Sequence, residues 1–175
     1  MITILVNKLL GKEKWLHLTI RVVTTADIPK WLELSKEYDS YVKELVQDLT
    51  EWYDGNDTSP AFDVYMEAKI NKREAFMAVD GFDDCLGIIA ISRNKNRISF
   101  FGVSHKLDFR EVGNNLIQYA LDMLDDSKLI SFNEISSNAH QIQKLREMYI
   151  ENGFEYLCDS TENGVPVNTY VKHPN

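Results

Sequence analysis

Hydrophobic and polar positions along the chain change period several times, and each change marks a predicted element. Leu18–Val23 is rich in β-branched residues and reads as a strand. Thr24 or Thr25 then caps a helix beginning at Ala26–Asp27, with Ile28, Trp31, Leu32, Ser35 and Tyr38 at helical spacing. A second helical stretch runs from Tyr41 to Tyr53, with Leu45, Val46 and Leu49 as its apolar stripe. Asp54–Ser59 is a loop by composition, and Ser59-Pro60 opens a further helix to about Ile70.

The period then drops to two. Ala75–Val79, Leu86–Ser92 and Ile98–Ser104 are β-type runs separated at hairpin distances by Gly81–Asp84 and Asn94–Asn96. A helix follows over roughly Val112–Leu124, then a strand at Leu129–Ile135 and a helix at Gln141–Asn152 that Gly153 stops. Phe154–Cys158 and Val167–Val171 close the chain as strands, joined by a polar loop with Gly164 and Pro166. An antiparallel meander followed by βα crossovers predicts an α/β (α+β) domain. Its central sheet is mixed and mostly antiparallel, with helices on both faces.

A length of 175 residues fits one compact domain, here 18–175, preceded by a separate-looking extension, 1–17. That extension reads as an extra strand or an amphipathic lead-in helix. It serves packing or homodimer formation, or else a membrane surface. No run reaches the roughly 20 apolar residues that cross a bilayer. Two cysteines, Cys85 and Cys158, make neither a disulfide framework nor a zinc site, and the simplest setting is a reducing cytoplasm. A formal charge of −8 and the lack of any Lys/Arg run argue against nucleic acid as a partner.

Two segments carry candidate chemistry. In the first, a strand ends near Ser104 and Asp108-Phe109-Arg110-Glu111-Val112-Gly113-Asn114-Asn115 opens a helix. Unpaired N–H groups and the positive end of the helix dipole make such a junction suited to an anion. Gly113 would let a phosphate approach the backbone, and Arg110 would add a positive charge; the plain alternative is a helix that merely starts near a glycine. In the second, Tyr149 precedes Gly153-Phe154 at the end of a helix. A phenol is protonated at neutral pH and can act as a general acid, and a core Tyr is the plain alternative.

Together, Arg110-x-x-Gly113-x-Asn115 and Tyr149-x-x-x-Gly153-Phe154 resemble the GNAT superfamily of acyl-CoA-dependent N-acetyltransferases. The Ile20-Arg21 strand and the Ala26-Asp27-Ile28 helix start resemble its opening. Asn115 stands where that family has Gly or Ala. Asn138 lies eleven residues before Tyr149 where the family's Asn lies seven before, a helical turn's displacement.

The resemblance implies acetyl-CoA as co-substrate, no metal, and a small-molecule or peptide amine as acceptor. The backbone of Phe101, Gly102 and Val103 would pair with the pantetheine arm. The N–H groups of Glu111, Val112, Gly113, Asn114 and Asn115, with Arg110, would hold the pyrophosphate, and Asn138 completes the cofactor set. Tyr149 would protonate the departing thiolate. Glu134, at the end of its strand, and His105, in a loop, are candidate bases for the acceptor ammonium. A catalytically silent module of the same fold, binding an acyl-CoA or a protein, is the rival.

The negative charge is regional. Residues 36–67 hold nine acids and two bases, a net −7, interleaved with Tyr38, Tyr41, Trp52, Tyr53, Phe62 and Tyr65. In the resembled family this region borders the acceptor site. Carboxylates among aromatics favour a cationic amine there, unless they are only the solvated faces of amphipathic helices.

Overall fold

The computed structural model describes residues 2–6, 16–31, 33–34, 67–104, 109–136, 140–162 and 165–174. The helix expected over 41–53, most of the acidic segment, His105 and Asn138 lie outside these residues.

Eight strands form one sheet: β1 (Ile2–Val6), β2 (Leu16–Val22), β3 (Ala75–Val79), β4 (Cys85–Ser92), β5 (Arg97–Val103), β6 (Ile130–Ile135), β7 (Glu155–Glu162) and β8 (Val165–Lys172). Their spatial order is β1-β2-β3-β4-β5-β6-β8-β7, and every neighbouring pair is antiparallel except β5 and β6. Two helices are α1 (Phe109–Leu121) and α2 (His140–Glu151). The mixed, mostly antiparallel sheet is the one the pattern predicts.

Within the extension, Ile2–Val6 form a strand. β1 pairs with β2 from Ile2–Ile20 to Val6–Leu16, as the edge of the same sheet.

Each face of the sheet carries its own core. On one, Ile89, Ile98, Phe101, Val103 and Phe132 pack with Leu116 and Ile117 of α1 and Leu145, Met148 and Tyr149 of α2. On the other, Met77, Ile88 and Ala90 pack with Trp31, Leu34 and Ile70, from helical residues 28–31, 33–34 and 67–71. Strand alternation sorts the side chains between these faces.

Several boundaries differ from expectation. α1 opens at Phe109, three residues before Val112, because Phe109-Arg110-Glu111 holds no helix breaker and the helix runs through Gly113. β7 continues to Glu162, where the expectation ended at Cys158. Pro166 lies inside β8 instead of the loop. It sits beyond the last β6–β8 pair, Ile135–Val167, where its carbonyl accepts from Ser136 N at 3.0 Å, and at the end of the sheet its missing N–H is tolerated.

Candidate active site

β5 and β6 run parallel for only two paired positions, Arg97–Ser131 and Ile98–Phe132. Beyond them the strands do not pair, though β5 continues to Val103 and β6 to Ile135. The cause is visible in β5. Ile91 pairs with Ile98 and Ala90 with Phe100, so Ser99 is an extra residue, a β-bulge, immediately after the last β6 contact. A bulge bends its strand and re-aims its side chains. Ile98 faces the α1–α2 core, Phe100 the opposite core against Trp31, and Phe101 the α1–α2 core again. The two strands therefore splay, with the predicted Phe101, Gly102 and Val103 on one arm and Glu134 on the other.

Tyr149 of α2 sits at the floor of this splay, 1% exposed. Its ring meets Phe132 of β6 with centroids 4.0 Å apart and Phe101 of β5 at 5.6 Å. Phe154 and Tyr170 lie at 6.2 and 6.4 Å. The Tyr ring thus contacts both diverging strands.

Glu134 projects from β6 onto the same face and is 4% exposed. Its Oε2 accepts from Arg146 Nε at 3.0 Å and Nη2 at 2.9 Å. Its Oε1 is buried without a hydrogen bond. Burial pushes the carboxyl pKa up, and Arg146 offsets part of that, as do Asn168 and Tyr170 nearby on β8. Burial likewise raises the Tyr170 hydroxyl, with the Glu134 charge adding to it. Sequence reasoning selected Glu134 and missed Arg146 and Tyr170. Arg146 sits twelve residues on from Glu134, across a loop, so no local spacing joins them.

The helix start at Phe109 changes the anion site. The N–H groups of Gly113, Asn114 and Asn115 fall beyond the first turn and are used by the helix's own hydrogen bonds, so the free ones lie toward Phe109–Glu111. Gly113 is buried, and a Cβ there would stand 2.5 Å from Met148 Sδ. Its smallness serves the contact of α1 with α2. Val112 is likewise buried in the core. Asn114 Oδ1 accepts from Asn152 Nδ2 at 2.8 Å, and Asn115 Nδ2 donates back to the Glu111 carbonyl at 2.9 Å. Arg110 is exposed and pairs with Glu147 at 3.1 Å and Glu151 at 2.7 Å, both on α2. Glu111 places a carboxylate in the first turn.

No family model matches the sequence, and no curated protein matches it. Solved structures do. A GNAT-family acetyltransferase from Streptococcus agalactiae 2603 matches with a TM-score of 0.68 at 12% identity, covering 90% of this chain and 96% of that one. An N-acetyltransferase from Staphylococcus aureus Mu50 gives 0.65 at 13% identity, over 90% and 99%. The NatC complex bound to Gag peptide and CoA gives 0.57 at 14% identity, over 89% and 98%. The fold is that of the GNAT N-acetyltransferases.

Within the GNAT fold, the chain's own residues set the chemistry of the splay. They are an enclosed phenol, a buried carboxylate with one bare oxygen, and a helix start where Arg110 is held by two glutamates. Among the described residues no helix is long and apolar enough to cross a membrane.

Proposed function

We propose that this chain transfers an acetyl group from acetyl-CoA to a primary amine in the cytoplasm. The observation that carries this reading is the divergence of β5 and β6 beyond Ile98–Phe132. An open strand edge is a template for an extended partner, and the pantetheine arm supplies amide groups that pair like an added strand along Phe101–Val103. The start of α1 would take the pyrophosphate, with Arg110 released from Glu147 and Glu151 to meet it. Asn138 belongs to the same cofactor set by resemblance.

In the reaction, Glu134 Oε1 takes a proton from the acceptor ammonium. The freed nitrogen attacks the thioester carbonyl carbon, an amide C–N bond forms and the C–S bond breaks. The leaving thiolate takes its proton from the Tyr149 hydroxyl, and the proton that the new amide nitrogen sheds passes through water to the phenolate, which restores Tyr149. The acidic, aromatic segment 36–67 would draw a cationic acceptor.

The silent module is the second reading. Arg110 already paired, Glu111 in the first turn and the deep enclosure of Tyr149 favour it. Calorimetric titration with acetyl-CoA, followed by thiol release over a panel of amines, separates the two. Binding with turnover supports the transferase, binding without turnover supports the silent module, and no binding at millimolar acetyl-CoA removes both.

A further inference from the structure

The face of the splay away from α1 and α2 carries a second polar cluster. Phe132 and Glu134 face α2, so Asn133 between them faces the other way. There Asn133 Nδ2 donates to Glu162 Oε2 at 2.9 Å. Arg97 binds the same carboxylate end-on, Nη1 to Oε1 at 3.1 Å and Nη2 to Oε2 at 3.1 Å. Glu162 is the last residue of β7, so the end of the β7–β8 hairpin comes to the mouth of β5 and β6.

Two polar atoms of β5 are left over. Arg97 Nε and Ser99 Oγ are both buried without a hydrogen bond. A guanidinium has two edges for oxygen acceptors. Glu162 fills the end-on edge, and the side-on edge at Nε is vacant. Ser99 is the bulged residue itself, two positions along the same strand. Buried donors left unmade weaken the fold by about 1–3 kcal/mol each, so such a pair calls for a partner.

The position of the pair relates it to the reaction. On the acetyl-transfer reading, on which this inference rests, phosphates sit at the start of α1, beyond the Val103 end of β5. The pantetheine arm then runs back along Val103, Gly102 and Phe101, and the thioester arrives beside Ser99. An amine attacking there carries its neighbouring atoms toward Arg97.

We propose that Arg97 Nε–H and Ser99 Oγ–H recognise a carbonyl oxygen next to the reacting amine. The acceptor class is accordingly an α-amino carbonyl compound, the amino terminus of a peptide or an amino-acid amide, in preference to an oxygen-free polyamine. A neutral oxygen suits the site better than a carboxylate, because Glu162 already balances the Arg97 charge.

The test compares kcat/KM for an alanyl dipeptide amide with that for 1,5-diaminopentane in the full chain. The dipeptide amide is expected to lead by about tenfold or more, since a site with buried donors discriminates against a ligand lacking the acceptor. Ser99→Ala and Arg97→Lys, the latter keeping the charge toward Glu162 and removing Nε, should each shrink that lead by about fivefold to tenfold through KM. Ser99→Ala keeps the question answerable if Arg97→Lys perturbs folding. Equal use of the two amines, or a lead unchanged in Ser99→Ala, overturns the proposal while leaving acetyl transfer intact. Absence of acetyl-CoA binding, or binding without turnover of either amine, overturns it together with the transferase reading.

Discussion

A methyl group on Gly113 would stand 2.5 Å from the sulfur of Met148 and 3.3 Å from Cζ of Phe101. α1 therefore lies so close to α2 and β5 that a side chain at this position would have to displace Met148. Met148 is itself buried and has little room to retreat. Gly113→Ala is expected to lower unfolding free energy by about 1–3 kcal/mol through overpacking, despite the better helix propensity of Ala. Urea denaturation measures it. A larger residue such as Glu at this position would disrupt packing first, so lost CoA binding in Gly113→Glu says nothing of a phosphate site.

Glu111 is the better probe of that site. It stands in the first turn of α1, where a carboxylate helps the helix through its dipole and opposes a bound phosphate. Glu111→Gln should tighten acetyl-CoA binding several-fold, on the order of tenfold at low salt, and weaken the helix by about 0.3–1 kcal/mol. Calorimetry at two salt concentrations checks both the gain and its screening. Unchanged affinity would place the phosphates elsewhere.

Local pattern was enough to read most strands, because alternation and β-branched runs report directly on a half-buried sheet. The meander from Ala75 to Val103 and both long helices follow from it. The motif glycine was legible as a position, but its packing was not: Met148, which a Cβ there would crowd, is 35 residues away. The bulge at Ser99 was invisible, since one extra residue in a strand changes no composition, only the register against Ala90 and Ile91. Arg146 and Arg97 were missed for a related reason. Each matters through a partner on another strand or helix, Glu134 or Glu162, that the sheet order alone brings near.

Arg21 and Asp27 fix the entry into the helical layer. The Asp27 carboxylate accepts from Arg21 Nη1 and Nη2 at 2.7 Å each, and from Thr24 N at 2.9 Å and Oγ at 2.7 Å. The Arg21 hydrogen bonds, ahead of those from Thr24, hold the Asp27 pKa far below the ordinary carboxylate range. A depressed folded-state pKa gives stability that is present above the unfolded value near 4 and is lost as pH falls. Asp27→Asn should lower stability by about 2–3 kcal/mol at pH 7, and the gap to wild type should narrow on acidification. Thermal unfolding from pH 3 to pH 7 follows it, and a pH-independent gap would show that the charge is not what Asp27 contributes.

Tyr149 offers a cleaner separation of role from packing. Its ring contacts with Phe101, Phe132, Phe154 and Tyr170 survive in Tyr149→Phe, so the enclosure keeps its shape. Loss of the hydroxyl proton should lower kcat by about 100-fold, in the range of general acid catalysis, with acetyl-CoA affinity unchanged. Unaltered kcat in the variant would remove Tyr149 as the acid.

Glu134 and Arg146 bear opposite consequences for pH. Glu134 is buried with its pKa raised, chiefly by burial. In the window between the unfolded value and the raised folded value, the native state binds more protons than the unfolded chain. Stability attributable to Glu134 is then full below about pH 4.3 and falls as pH rises through the folded pKa. Wild type measured against Glu134→Gln should therefore lose relative stability with rising pH, the reverse of the Asp27 case. Arg146→Met strips the only cation bound to that carboxylate among the described residues. It should destabilise by about 3–5 kcal/mol near pH 7 and by less at pH 4 to 5, where Glu134 takes up a proton instead. In the enzyme, the acid limb of kcat/KM should lie above the ordinary Glu range, move higher in Arg146→Met and vanish in Glu134→Gln. A limb that persists in Glu134→Gln assigns the base to another residue. A limb that vanishes there but does not move in Arg146→Met shows that Arg146 holds the carboxylate in place without tuning it.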